Sequence, residues 1–168
     1  MAHQPETPDI TAQGEPAAGR APGAADNSKA RGPLTGKTAL VTGAARRVGA
    51  AITRALHGAG ASVILHYRSS GDDAAQLAAE LNGVRPGSAA TAECDLLQPA
   101  QLPELVAEAQ RKFAGLDILV NNASGPEYRP DRPLDLWTEI METELVGTMY
   151  CVRHAIDAMR GGGAIVNI

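Results

Sequence analysis

The chain has 168 residues, of which 44% are hydrophobic and 20% charged, with a formal net charge of −4. This supplies enough apolar material for one buried core and excludes a wholly disordered or fibrous chain. The balance gives no general pull towards nucleic acid or an anionic membrane, and no stretch approaches the roughly 20 apolar residues that span a bilayer.

Residues 1–35 hold five of the eleven prolines, and their only large apolar side chains are Met1, Ile10 and Leu34. So little burial cannot offset the cost of ordering, and a disordered tail is expected. The tail has no apolar run of the length a signal peptide needs. Cys94 and Cys151 are too few and too far apart for a disulfide framework or a zinc knuckle, so the expected setting is a reducing cytoplasm. From residue 36 to 168 the texture is that of one domain. Thr38 to Thr42 reads as a buried strand ending at Gly43, and Val48, Ala51, Ile52, Ala55 and Leu56 recur at helical spacing until Gly58 and Gly60. Ser62 to Tyr67 is a second strand. Asp72 or Asp73 can cap a helix carrying Leu77, Ala78 and Leu81. Ala89 to Cys94 is a weaker strand, followed by a helix marked by Leu102, Leu105, Val106, Ala109 and Phe113.

Asp117 to Asn121 is a fourth strand, and Ser124 to Pro133 a polar, proline-rich loop. One long helix is expected next, with Trp137, Ile140, Met141, Leu145, Met149, Val152, Ile156 and Met159 on its apolar face. Gly161 to Gly163 ends it, and Ala164 to Ile168 begins a fifth strand. Five strands alternating with four helices predict right-handed crossovers and a doubly wound, Rossmann-like α/β fold. The expected strand order is 3-2-1-4-5. The fold looks cut off after the fifth strand, where a loop that carries ligand contacts is expected.

Between the first strand and the first helix stands Gly43-Ala44-Ala45-Arg46-Arg47-Val48-Gly49. Gly43 permits a tight turn, Gly49 lets the helix pack closely on the sheet, and the helix N-terminus offers amide donors to a pyrophosphate. An NAD site places an acid about 20 residues on, at the end of the second strand. Here Tyr67 lies 18 positions after Gly49 and the stretch reads His66-Tyr67-Arg68-Ser69-Ser70. With no acid, and with Arg68 and Ser69 able to meet a 2′-phosphate while Arg46 and Arg47 stand nearby, NADP(H) is expected over NAD. Arg68 alone would also suit a solvated loop. Asp95 suits either an adenine contact or a turn cap. Asn121, Asn122, Ala123 and Ser124 close the fourth strand, where amides can hold the strand end and line the cofactor groove. Gly32-Pro33-Leu34-Thr35-Gly36-Lys37-Thr38 is a false phosphate loop, because only three residues separate its glycines and it precedes the strand. His3, His57, His66 and His154 have no ligand spacing, so no metal is implied.

TGAARRVG, the basic end of the second strand, CDL and NNAS, in this order, resemble the short-chain dehydrogenase/reductase family over about residues 36–168. Arg47 in place of the usual middle glycine, with the His-Tyr-Arg-Ser stretch, is similar to the pteridine reductase branch. The resemblance implies that Gly43, Arg47, Val48 and Gly49 bind the pyrophosphate side. His66, Arg68 and Ser69 would then bind the 2′-phosphate, Asp95 and Leu96 the adenine, and Asn122 and Ala123 its ribose. It implies NADPH-dependent hydride transfer to a small molecule, a reduced pterin first, with a 3-oxoacyl-thioester or other ketone as the alternative, by a homo-oligomer. Glu144 occupies the family's asparagine position in the long helix. No Tyr-x-x-x-Lys pair is present, since Tyr67, Tyr128 and Tyr150 lack a lysine four residues on. The 168 residues alone are therefore expected to be inactive, a dinucleotide-binding fragment at most.

Overall fold

The computed structural model describes residues 32–125, 135–159 and 161–168. Five strands, β1 (Thr38–Val41), β2 (Ser62–Tyr67), β3 (Ala89–Glu93), β4 (Ile118–Asn121) and β5 (Ala164–Asn167), form one sheet in the order β3-β2-β1-β4-β5. Every pairing is parallel, with Val41 beside Leu65 and Val120, and Asn121 beside Asn167. This is the expected Rossmann-like order. Helices α1 (Arg47–Gly58), α2 (Gly71–Val84) and α3 (Leu102–Phe113) join the first four strands.

β1 is buried at all four positions because helices cover both faces of a parallel sheet. Its side chains alternate between two cores. Ala39 and Val41 join Val63, Leu65, Leu77 and Leu81 on the α1–α2 side. Leu40 joins Ile64, Leu119, Leu105, Val106, Cys151 and Ala155 on the other. Both cysteines are free and buried, and desolvation pushes their thiols up to about 11 for Cys94 and about 12 for Cys151. Among the described residues no helix is long and apolar enough to cross a membrane.

Three expectations need correction. The tail boundary falls earlier than residue 35. Gly32–Thr35 forms a turn whose Leu34 N–H donates to Ala59 O at 2.9 Å, and Leu34 packs against the first core. Residues 1–31 lie outside the described residues. Next, neither Asp72 nor Asp73 caps α2: Ser70 holds the cap position, and both acids sit in the first turn, where the positive helix end favours them.

The third correction concerns the long helix. It is broken into α4 (Asp135–Met141), a π-helical turn (Glu142–Gly147) and α5 (Thr148–Ala158). Thr143, Gly147, Cys151 and Ala155, one turn apart, face the interior. Met141, Leu145, Met149 and Ile156, on the expected apolar face, are 49–62% exposed, and Trp137 is 48% exposed. Ile140, Val152 and Met159 are half-buried. Close approach selects the small stripe: a Cβ on Gly147 would sit 3.1 Å from Leu96 Cβ. The loop expected over Ser124–Pro133 lies outside the described residues beyond Gly125.

Candidate nucleotide site

The carboxyl ends of β1, β2 and β4 and the start of α1 enclose an open cleft of about 540 Å³. Fourteen of the residues singled out from the sequence line it: Gly43, Arg46 to Gly49, His66 to Ser69, Asp95, Leu96 and Asn122 to Ser124. Asn121 does not, and its amide donates instead to Asn167 Oδ1 at 2.8 Å. Ala45, Ser70, Thr143 and Ile168 complete the wall.

The β1–α1 turn is built for close approach. Gly43 has φ +62°, and a Cβ on Gly49 would lie 2.1 Å from Gly43 O and 2.7 Å from Asn122 Nδ2. Arg47 also adopts a left-handed conformation, φ 48°, which side chains rarely hold. No side chain caps the α1 N-terminus and no acid lies in its first turn, leaving amide donors and a positive dipole end for an anion.

Thr42, absent from the sequence-based set, holds this end of the sheet together. Its Oγ1 accepts from the backbone N–H groups of Asn122 and Ala123, both at 2.9 Å. In return Asn122 Nδ2 donates to Thr42 O at 3.0 Å and Gly43 O at 3.2 Å. Asn122 thus ties the β4 end to the β1–α1 turn. Asp95 Oδ1 accepts from Leu97 N at 3.0 Å, so it caps its turn while also lining the cleft.

His66 is corrected as a phosphate contact. It is 2% exposed, its Nδ1 accepts from Gly43 N at 3.1 Å, and its Nε2 lies 2.9 Å from Cys94 O. A carbonyl can only accept, so the proton sits on Nε2 and the ring is neutral. Burial takes its pKa down to about 4, outweighing the opposing pull of Cys94 O and Asp95. Both nitrogens are engaged within the protein, and the ring clips β2 to the β1–α1 turn and to the end of β3.

The arginines are held differently. Arg46 Nε donates to Asp73 Oδ2 at 2.6 Å, and Arg68 Nη1 lies 3.6 Å from Glu139 Oε1. Glu144 is not part of the cleft wall, but its Oε1 accepts from Ser124 Oγ at 2.8 Å. Thr143 is 6% exposed, and its buried Oγ1 has no partner among the described residues. No signal in the sequence marks it; it stands on a π-helical turn, a feature frequent at functional sites. The uncapped helix end, the glycine cradle and this orphan hydroxyl fit a dinucleotide.

Comparison with known proteins agrees with this fold. A family model described as short chain dehydrogenase matches residues 37–168. A D-beta-hydroxybutyrate dehydrogenase of Rhizobium meliloti is 33% identical over 136 residues, 79% of this chain and 53% of the relative. The hydroxynaphthalene reductase arp2 of Aspergillus fumigatus is 32% identical over 136 residues, 80% of this chain and 50% of that protein. Among solved structures, a short chain dehydrogenase of Burkholderia cenocepacia in complex with NADP superposes with a TM-score of 0.73 at 32% identity, covering 80% of this chain and 55% of that one. The chain spans about half the length of these relatives.

Proposed function

The chain belongs to the short chain dehydrogenase family, and on that premise we propose that it holds NADP(H) for the reduction of a carbonyl or imine-type double bond. When bound, the cofactor supplies the hydride. The chain's own residues bind and orient it. The α1 N-terminus, Gly43, Arg47, Val48 and Gly49 face the pyrophosphate, Arg68 and Ser69 the 2′-phosphate, Asp95 and Leu96 the adenine, and Asn122 and Ala123 the ribose. Arg46 adds positive charge at the turn, while Tyr67 and Ser124 form wall. His66 and Thr42 keep the turn in shape.

The observation that carries NADP over NAD is Arg68 with Ser69 in the cleft wall at the end of β2, where residues 66–70 include no acid. The solved relative in complex with NADP supports the same choice. The test is the affinity of the chain for NADPH and NADH before and after Arg68→Ala. Loss of a charge-assisted contact weakens NADPH by about 1–3 kcal/mol, roughly 5- to 150-fold, with NADH nearly unchanged. Equal losses for both nucleotides would remove Arg68 from the 2′-phosphate.

Two substrate classes follow. A reduced pterin is supported by Arg47 and the His66–Ser69 stretch, a ketone or 3-oxoacyl thioester by relatives named for hydroxybutyrate and hydroxynaphthalene. Titration of the NADPH-loaded chain with a compound of each class, followed by nucleotide fluorescence, separates them by binding. The exposed stripe of Met141, Leu145, Met149 and Ile156 supports a homo-oligomer, and the buried free thiols suit the cytoplasm.

A further inference from the structure

Three arginines reach the cleft, and their charges are not equally available. Arg46 is paired with Asp73, Arg68 with Glu139, and Arg47 has no ion pair among the described residues. The Arg68 pair joins elements remote in sequence: Arg68 follows β2, whereas Glu139 sits on α4. Both side chains are partly exposed, 51% for Arg68 and 38% for Glu139. α4 therefore sets a carboxylate beside the one guanidinium that the cleft offers at the end of β2.

We propose that Glu139 is a specificity-determining residue that lowers the preference of this cleft for the 2′-phosphorylated dinucleotide. The inference rests on the reading that Arg68 meets the 2′-phosphate. A guanidinium has five N–H donors and can serve two acceptors at once. Sharing it, however, brings a carboxylate close to a phosphate of nearly double charge. An exposed ion pair orients its arginine only weakly, so repulsion between the two anions outweighs any gain from holding Arg68 in place. A cofactor with a plain 2′-hydroxyl brings no such charge. The penalty therefore falls on NADP(H) alone.

The experiment titrates the 168-residue chain with NADPH and with NADH, following nucleotide fluorescence, for the unmodified protein, Glu139→Gln and Arg68→Ala. Glu139→Gln is expected to tighten NADPH by about three- to tenfold and to leave NADH within about twofold, because the gain is of the size of one partly screened charge contact. The substitution is at an exposed site, and an unchanged melting temperature confirms that the fold is intact. If Arg68→Ala discriminates between the nucleotides but Glu139→Gln leaves NADPH unchanged, weakens it, or tightens both alike, the role of Glu139 is overturned while the cofactor reading stands. If Arg68→Ala affects both nucleotides alike, or neither nucleotide binds, the cofactor reading fails and this inference fails with it.

Discussion

Thr42→Val tests whether one buried hydroxyl organises the cofactor end of the sheet. Valine keeps the shape of threonine and removes only the oxygen that accepts from Asn122 N and Ala123 N, both at 2.9 Å. Thr42 itself is 1% exposed, so no water replaces the oxygen from its side. An unpaired buried N–H costs about 1–3 kcal/mol, and the low end applies because Asn122 and Ala123 border the open cleft. Two such groups give a loss of about 2–3 kcal/mol. Urea unfolding followed by circular dichroism reads this as a lower midpoint at constant slope, and Thr42→Ser, which keeps the oxygen, should recover most of it. The Asn122 side chain would also lose its register on Thr42 O and Gly43 O, so nucleotide affinity should fall with stability. A valine variant as stable as the parent would refute the assignment of Thr42 as the tie between β1 and β4.

Two further outcomes follow from the same end of the sheet. The unfolded chain takes a proton on His66 near the ordinary value of 6.5, whereas the folded chain resists until about 4. Stability from this residue is full above about pH 6.5 and falls as pH drops towards 4, by about 3 kcal/mol in all. Unfolding midpoints at several pH values should show that slope flattened in His66→Gln, leaving a smaller slope from His57, whose pKa burial also lowers; an unchanged slope would remove His66 from the account. Gly49→Ala should abolish nucleotide binding and cost more than about 2 kcal/mol, since the new methyl meets Gly43 O at 2.1 Å. Gly83→Ala in α2, with open space around the Cβ, is the control and should be neutral or stabilise by up to about 1 kcal/mol. Equal melting shifts for the two would contradict the cradle geometry.

The strands were legible because TALV and SVIL are apolar runs with clear stops, and their alternation with helices fixes a parallel sheet. The cleft was legible because its wall is built from strand ends and one glycine turn, which local sequence reports. What depends on distant partners was not. Thr42 gains its role from amides about 80 residues away. His66 reads as a basic residue beside Arg68, yet β2 is covered on both faces, so the ring is buried and neutral. In the long helix, periodicity reports only the large apolar side chains, and the tightness of packing beside Leu96 is what puts Thr143, Gly147, Cys151 and Ala155 inside.

Arg47 shows how stability and binding can be set against each other at one position. At φ 48° the backbone would be at ease with glycine, and an arginine there holds local strain. Glycine would relax the turn but, in the proposed cofactor complex, would leave the pyrophosphate to backbone amides alone, without the one cleft arginine that has no acidic partner among the described residues. A redesign for thermal robustness and a redesign for tighter cofactor capture would therefore choose different residues at this position, and screening for one property alone would select against the other.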